Sequence, residues 1–115
     1  MAITTASAKA KGRNLQKSVV SSLLERHPTL TADDVVSCPM GSNGADIKLS
    51  QAAKAAIPFD FECKARAKIA MVYEALDQAR RSPDRIPLAV IKADRKRPLA
   101  VIDLETFLSL ISDRA

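Results

Sequence analysis

Three side chains in this sequence have the types and spacing for metal-assisted chemistry on a phosphate. Asp46 opens the short run Asp-Ile-Lys-Leu, and Glu62 and Lys64 lie in Phe59-Asp60-Phe61-Glu62-Cys63-Lys64. In a strand, successive side chains point to opposite faces. Phe59, Phe61 and Cys63 then share an apolar face, and Asp60, Glu62 and Lys64 share the other. Two carboxylates and an ammonium in a row are costly in a core unless something pairs them. A metal ion or a phosphate does so. With Asp46 delivered to the same place, the set makes a site for a hard divalent cation beside a cationic side chain.

The elements that would position these groups can be read along the chain. Asn14 to Arg26 has helical periodicity, with Leu15, Val19, Leu23, Val20 and Leu24 on one stripe, Asn14 as a cap, and His27-Pro28 as the stop. Val35 to Cys38 is a β-branched run and predicts a strand. Met40-Gly41-Ser42-Asn43-Gly44 predicts a loop. Asp46 to Leu49 predicts a second strand, and Ser50 caps a short Ala-rich helix over Gln51 to Ala56, closed by Pro58. Phe59 to Lys64 predicts the central strand. Ala67 to Arg81 predicts a helix with Ile69, Val72, Tyr73, Leu76 and Ala79 inward, broken by Ser82-Pro83-Asp84. Pro87 to Lys92 and Leu99 to Ile102 predict a hairpin across the charged turn Asp94 to Pro98. Asp103 caps a last helix, Leu104 to Ile111, with Phe107, Leu108 and Ile111 inward. The order αβββαββα is that of a small α/β protein, a mixed central β-sheet flanked by helices.

Length and composition limit the functional classes. At 115 residues the expectation is one domain, over residues 11–115, preceded by a loose basic-ended arm over residues 1–10. Aromatic residues make up 3% and there is no Trp, which argues against a single-strand binder that stacks bases on rings. The net charge is +5, with basic residues gathered at Lys9–Lys17, Lys64–Lys68, Arg80–Arg85 and Lys92–Arg97. Such a balance suits a polyanion, nucleic acid first, and equally an ordinary solvated surface. Cys38 and Cys63 lack zinc-site spacing and, with His27 as the lone histidine, are expected to be reduced apolar fillers of an intracellular protein. No P-loop is present, so no nucleotide cofactor is expected. No long apolar run predicts a membrane span or a signal peptide.

Four stretches together carry a resemblance. They are Lys11-Gly12-Arg13-Asn14-Leu15-Gln16, Pro39 to Asp46, Phe61-Glu62-Cys63-Lys64, and Tyr73-Glu74-Ala75-Leu76-Asp77-Gln78-Ala79. In this order they resemble the PD-(D/E)xK nuclease superfamily, in particular archaeal-type Holliday junction resolvases and their phage-encoded relatives. The resemblance spans Lys11 to Ile111. It implies a restriction-endonuclease-like fold and a magnesium-dependent endonuclease of branched DNA, with Mn²⁺ able to substitute. Cutting two strands symmetrically needs two sites, so a homodimer is expected, with the apolar residues Leu99 to Ile102 and the last helix expected in part of its interface. A role in DNA recombination and repair in the cytoplasm, of a bacterial host for a phage protein, goes with the resemblance.

The chemistry explains the residue types. A phosphodiester repels a nucleophile until its charge is neutralised. A divalent metal held by Asp46, Glu62 and the main-chain carbonyl of Cys63 does this and acidifies a bound water. Lys64 orients that water or stabilises the transition state. Gln16 joins the implied catalytic set, at a place where the archaeal enzymes usually carry Glu. A neutral amide can accept a hydrogen bond from a metal-bound water but adds no charge. The residues expected to touch DNA are Lys11, Arg13, Ser42, Arg66, Lys68 and Gln78. Other duplex- or structure-specific cutting on the same fold, and a non-catalytic DNA-binding protein, stay open as alternatives.

Overall fold

The protein is described from a computed structural model that covers residues 5–39, 45–65 and 68–112. The expected loop Met40–Gly44, with Ser42, and the residues Arg66 and Ala67 lie outside the described residues. The chain divides into two compact units, Met1–Ala65 and Arg66–Ala115.

The first unit begins with helix α1, Thr5–Arg26. It starts well before Asn14, so that residue is interior to the helix and is not its cap. Thr5 to Ala10, expected as an arm, continue the helix. Small helix-compatible residues (Ala6, Ala8, Ala10) extend it at little cost. Gly12, Gln16, Val19 and Leu23 are buried at spacings of four, three and four, which is one face of a helix. His27 N–H still reaches the Leu24 carbonyl at 3.3 Å before Pro28 ends the pattern.

Strands β1, Val35–Ser37, and β2, Ile47–Leu49, form an antiparallel pair. Val35 faces Leu49 and Ser37 faces Ile47 across the ladder. Val35 and Ile47 are buried, and α1 packs on β1. Cys38 N–H to Asp46 carbonyl, 2.9 Å, closes one end of the ladder, and Ser50 N–H to Asp34 carbonyl, 2.9 Å, closes the other. Helix α2, Gln51–Ala56, follows with its expected cap, since Ser50 Oγ accepts the Ala53 N–H at 3.1 Å.

Asp34 ties the turn before β1 to that cap. One of its oxygens accepts the Thr31 N–H at 2.8 Å, and the other accepts the Ser50 hydroxyl at 2.7 Å. The Thr31 backbone bond, then the Ser50 hydroxyl, holds its carboxyl below the ordinary aspartate value. A lowered native value gives stability that is fully present above the ordinary carboxylate pKa and is lost as pH falls through the lowered one. Relative to Asp34→Asn, the native protein is therefore expected to keep a constant advantage at neutral pH. That advantage shrinks below about pH 4. Urea midpoints of both proteins from neutral to acid pH check this, and a gap that does not narrow in acid would contradict it.

Phe59 to Lys64 does not form the expected central strand. Its exposure alternates residue by residue, but it makes no regular ladder. A parallel partner strand would need evenly spaced main-chain bonds. Asp46 N–H donates to the Phe61 carbonyl at 3.3 Å without extending into such a ladder.

In the second unit, helix α3 is Ala70–Ala79, shorter than expected at both ends. Its cap residue, Ile69, has no side chain able to cap. Val72, Ala75, Leu76 and Ala79 are its half-buried line, and Tyr73, expected inward, is 63% exposed. One residue is 100° around a helix, so the i, i+3, i+4, i+7 line leaves Tyr73 off the buried face. Strands β3, Ala89–Ile91, and β4, Leu99–Val101, form the expected hairpin, with Val90 opposite Ala100. Helix α4, Leu104–Ser112, starts as expected, because Asp103 Oδ2 accepts the Thr106 N–H at 3.0 Å. Leu108 is fully buried.

Among the described residues the architecture is mixed α/β, with four helices and two small antiparallel two-stranded sheets. Among the described residues the strands stay as two separate pairs and do not join into the single mixed sheet expected. The missing central strand is the physical reason within the first unit. Among the described residues no helix is long and apolar enough to cross a membrane.

Candidate active site

Asp46 is the joint of the site. Its N–H donates to the Phe61 carbonyl at 3.3 Å, and its Oδ2 accepts the Cys63 N–H at 2.6 Å. A residue at the entry to β2 thus grips the Glu-x-Lys segment on both sides of Glu62. The second bond is charge-assisted, shorter and stronger than a neutral one. Among the described residues no hydrogen bond reaches Asp46 Oδ1, which leaves that oxygen to offer a further partner.

Glu62 and Lys64 are exposed between the half-buried Phe61, Cys63 and Ala65, as the alternation predicts. Lys64 Nζ stands 3.2 Å from Glu62 Oε1, with both side chains well exposed. An exposed pair of this kind is worth roughly 0.2–1 kcal/mol, so either partner can be redirected to a ligand at small cost. Asp60 joins them. It lines an open hollow of about 490 Å³ together with Ala45, Phe61 and Glu62. Sequence reasoning placed Asp60 on this face but did not count it among the site residues. The period-two alternation that selected Glu62 was the available signal.

Cys63 sits between the two carboxylates, half-buried and reduced. Burial pushes its thiol above the ordinary value, and the charges of Asp46 and Glu62 push the same way. The thiol therefore stays neutral near pH 7 and adds no third negative charge to the cluster.

Gln16 is buried on α1, and its Oε1 accepts the Ser37 hydroxyl at 2.7 Å. Ser37 lies opposite Ile47 in the β1–β2 register, next in sequence to Asp46. Gln16 is thus a cross-brace that holds α1 to the strand pair at the end where Asp46 leaves it. Removing Gln16 takes this partner from the part-buried Ser37 hydroxyl, at a cost of about 1–3 kcal/mol. Gln16→Ala is expected to lose about that much stability, and a double-mutant cycle with Ser37→Ala should give a coupling of about 1 kcal/mol in urea denaturation. Additive losses would show that the bond contributes nothing.

The other predicted residues divide by location. Lys11 and Arg13 are exposed on α1, within a helix and not on an arm. Lys68 and Gln78 are exposed residues of the second unit. Ser42 and Arg66 are outside the described residues.

The donor chemistry can be tested against a metal. Asp46 and Glu62 supply hard carboxylate oxygens, and magnesium is commonly held by one or two carboxylates plus water. The residues fit that requirement. Among the described residues no three His, Cys, Asp or Glu side chains form a metal-holding group. The implied ligand set has two such side chains and a main-chain carbonyl. No protein-family model matches the chain, and comparisons with curated proteins and with solved structures find no significant match.

Proposed function

We propose that this protein is a metal-dependent endonuclease on a restriction-endonuclease-like fold that cuts phosphodiester bonds in branched DNA, in the manner of a Holliday junction resolvase. The observation that carries the reading is the double grip of Asp46 on Phe61 and Cys63, which brings the lone Asp and the Glu-x-Lys segment to one place. Asp46 and Glu62 would hold Mg²⁺, or Mn²⁺ in its stead, with the Cys63 carbonyl as a further ligand. The bound ion would supply a Lewis acid and an acidified water. Lys64, freed from Glu62 at small cost, neutralises charge on the phosphate or orients the attacking water. Gln16 acts by position, keeping α1 and the strand pair in register behind Asp46.

A homodimer is part of the proposal, since two symmetric cuts need two sites. Leu99 and Val90 present exposed apolar side chains on the hairpin that such an interface could use. The test is purified protein, Mg²⁺ and a labelled four-way junction, with linear duplex as competitor. Paired nicks in the junction support the reading, and preference for duplex points to other cutting on the same fold. No cleavage with either Mg²⁺ or Mn²⁺ overturns it.

A second reading, a non-catalytic DNA-binding protein, is favoured by one observation. Both carboxylates already have partners within the protein, Cys63 N–H for Asp46 and Lys64 for Glu62. Calorimetric titration with Mg²⁺ separates the two readings, because only an enzyme requires a site that Glu62→Gln weakens.

A further inference from the structure

A second hollow lies in the second unit, just past α3, and its lining is unlike that of the first. It has a volume of about 450 Å³ and is lined by Arg80, Arg81, Ser82, Pro83 and Arg85. Three of its five lining residues carry a guanidinium, and none carries a carboxylate.

Local backbone chemistry explains why the arginines converge. Helix α3 ends at Ala79, and Arg80 leaves it in an extended conformation (φ −78°, ψ 103°). Ser82 then opens a tight turn. Its carbonyl accepts the Arg85 N–H at 3.3 Å, and its hydroxyl accepts the Asp84 N–H at 3.4 Å. Ser at the first position and Pro at the second are the residues such a turn prefers, Pro because its φ is preset. The turn folds Arg85 back toward Arg80 and Arg81, so residues five apart in sequence line one concavity.

The electrostatics favour an anion. Asp84 belongs to the same turn and Asp77 lies one helical turn back, but neither lines the hollow. Among the described residues no ion pair reaches Arg80, Arg81 or Arg85. Three full positive charges outweigh the roughly half negative charge at the end of α3. Guanidinium groups present planar forks that match phosphate oxygens two at a time. The hollow is open, which suits a chain passing over it better than an enclosed small molecule.

We propose that the Arg80–Arg81–Arg85 hollow seats a phosphodiester of the nucleic-acid backbone, in a manner independent of base sequence and separate from the candidate active site. The assignment rests on the DNA-binding part of the proposed function and not on cleavage. Bonds to phosphate position a protein on its substrate and carry no sequence information. Each one releases counterions, which makes its contribution visible in the salt dependence of binding.

The experiment compares the full-length wild type with the triple variant Arg80→Ala, Arg81→Ala, Arg85→Ala. Binding to a junction and to linear duplex is measured in EDTA, so that metal-dependent cutting does not interfere. All three side chains are exposed, and unchanged thermal melting would show that the fold survives. The variant is expected to lose about tenfold or more in affinity on both DNAs. The slope of log K against log salt should become shallower by about 0.9 for each phosphate the variant no longer neutralises. Equal affinity and slope in the two proteins overturn the assignment. So does a variant that keeps DNA binding but loses binding to phosphatidylserine vesicles, since the anion would then be a lipid headgroup. A wild type that binds DNA, loses that binding in the variant, and never cuts would sink the endonuclease reading and leave this one intact. A wild type that cuts junctions, with the variant binding as tightly, would sink this one alone.

Discussion

Glu62→Gln is expected to reduce junction cleavage by about two to three orders of magnitude while leaving DNA affinity unchanged or slightly higher. The substitution keeps size and shape and removes only the charge. Glu62 is exposed and pairs with the equally exposed Lys64, so the fold has little to lose. Chemistry has much to lose, because a carboxylate that holds a divalent ion cannot be replaced by an amide without weakening the site. Removing a negative charge beside a polyanion does not weaken binding, which is why affinity and rate should separate. Single-turnover rates at saturating DNA, with affinity measured in EDTA, make the comparison. Cleavage at the wild-type rate would remove Glu62 from the mechanism and with it the core of the proposal.

Asp46 should show a different pattern, because it has two roles. Its Oδ2 holds the Cys63 N–H, and its charge belongs to the proposed metal site. Asp46→Ala removes both. The orphaned N–H and the missing charge-assisted bond are expected to cost about 2 kcal/mol in urea denaturation, with faster hydrogen exchange at the Cys63 amide. Asp46→Asn keeps an oxygen able to accept that N–H, so most of the stability and the slow exchange should return. Cleavage should not return, and should stay about as low as in Glu62→Gln. If Asp46→Asn restored cleavage together with stability, Asp46 would be a structural clamp alone. Equal stability of the Ala and Asn variants would show that the bond to Cys63 has no energetic weight.

These variants bear on how an acidic pair is held without a regular sheet. In a ladder, main-chain groups fix the position of a strand and side chains are free for function. Here the Asp46 side chain takes the place of part of a ladder. The carboxylate of Asp46 binds the segment carrying Glu62, so the geometry of the site depends on one of its own candidate ligands. A ligand on that carboxylate would act on the position of Glu62 as well as on charge. The Gln16–Ser37 brace, between α1 and β1, does not depend on Asp46 and would hold in either state.

Much of the chain was legible from local chemistry. Ser50 and Asp103 were read as helix caps, and both accept the expected backbone N–H. The breaks at His27-Pro28 and Ser82-Pro83, the hairpin over Ala89–Val101, and the two-faced character of Phe59 to Lys64 follow from residue types within a few positions of one another. Such features depend on backbone bonds and side-chain period, which the sequence specifies directly. Asp46, Glu62 and Lys64 were selected in the same way, by type and spacing.

Other features depended on how distant segments meet. Gln16 was read as a site residue from a resemblance, and its burial against Ser37 follows only from how α1 lies on β1. Tyr73 was read as inward, and it is exposed because the packing of α3 selects a neighbouring line of residues. The segment 59–64 has the alternation of a strand but lacks a ladder, and Asp46 reaches it through its N–H and a side-chain oxygen. Which bonds form between segments far apart in the chain is decided by how they pack, and no local pattern records it.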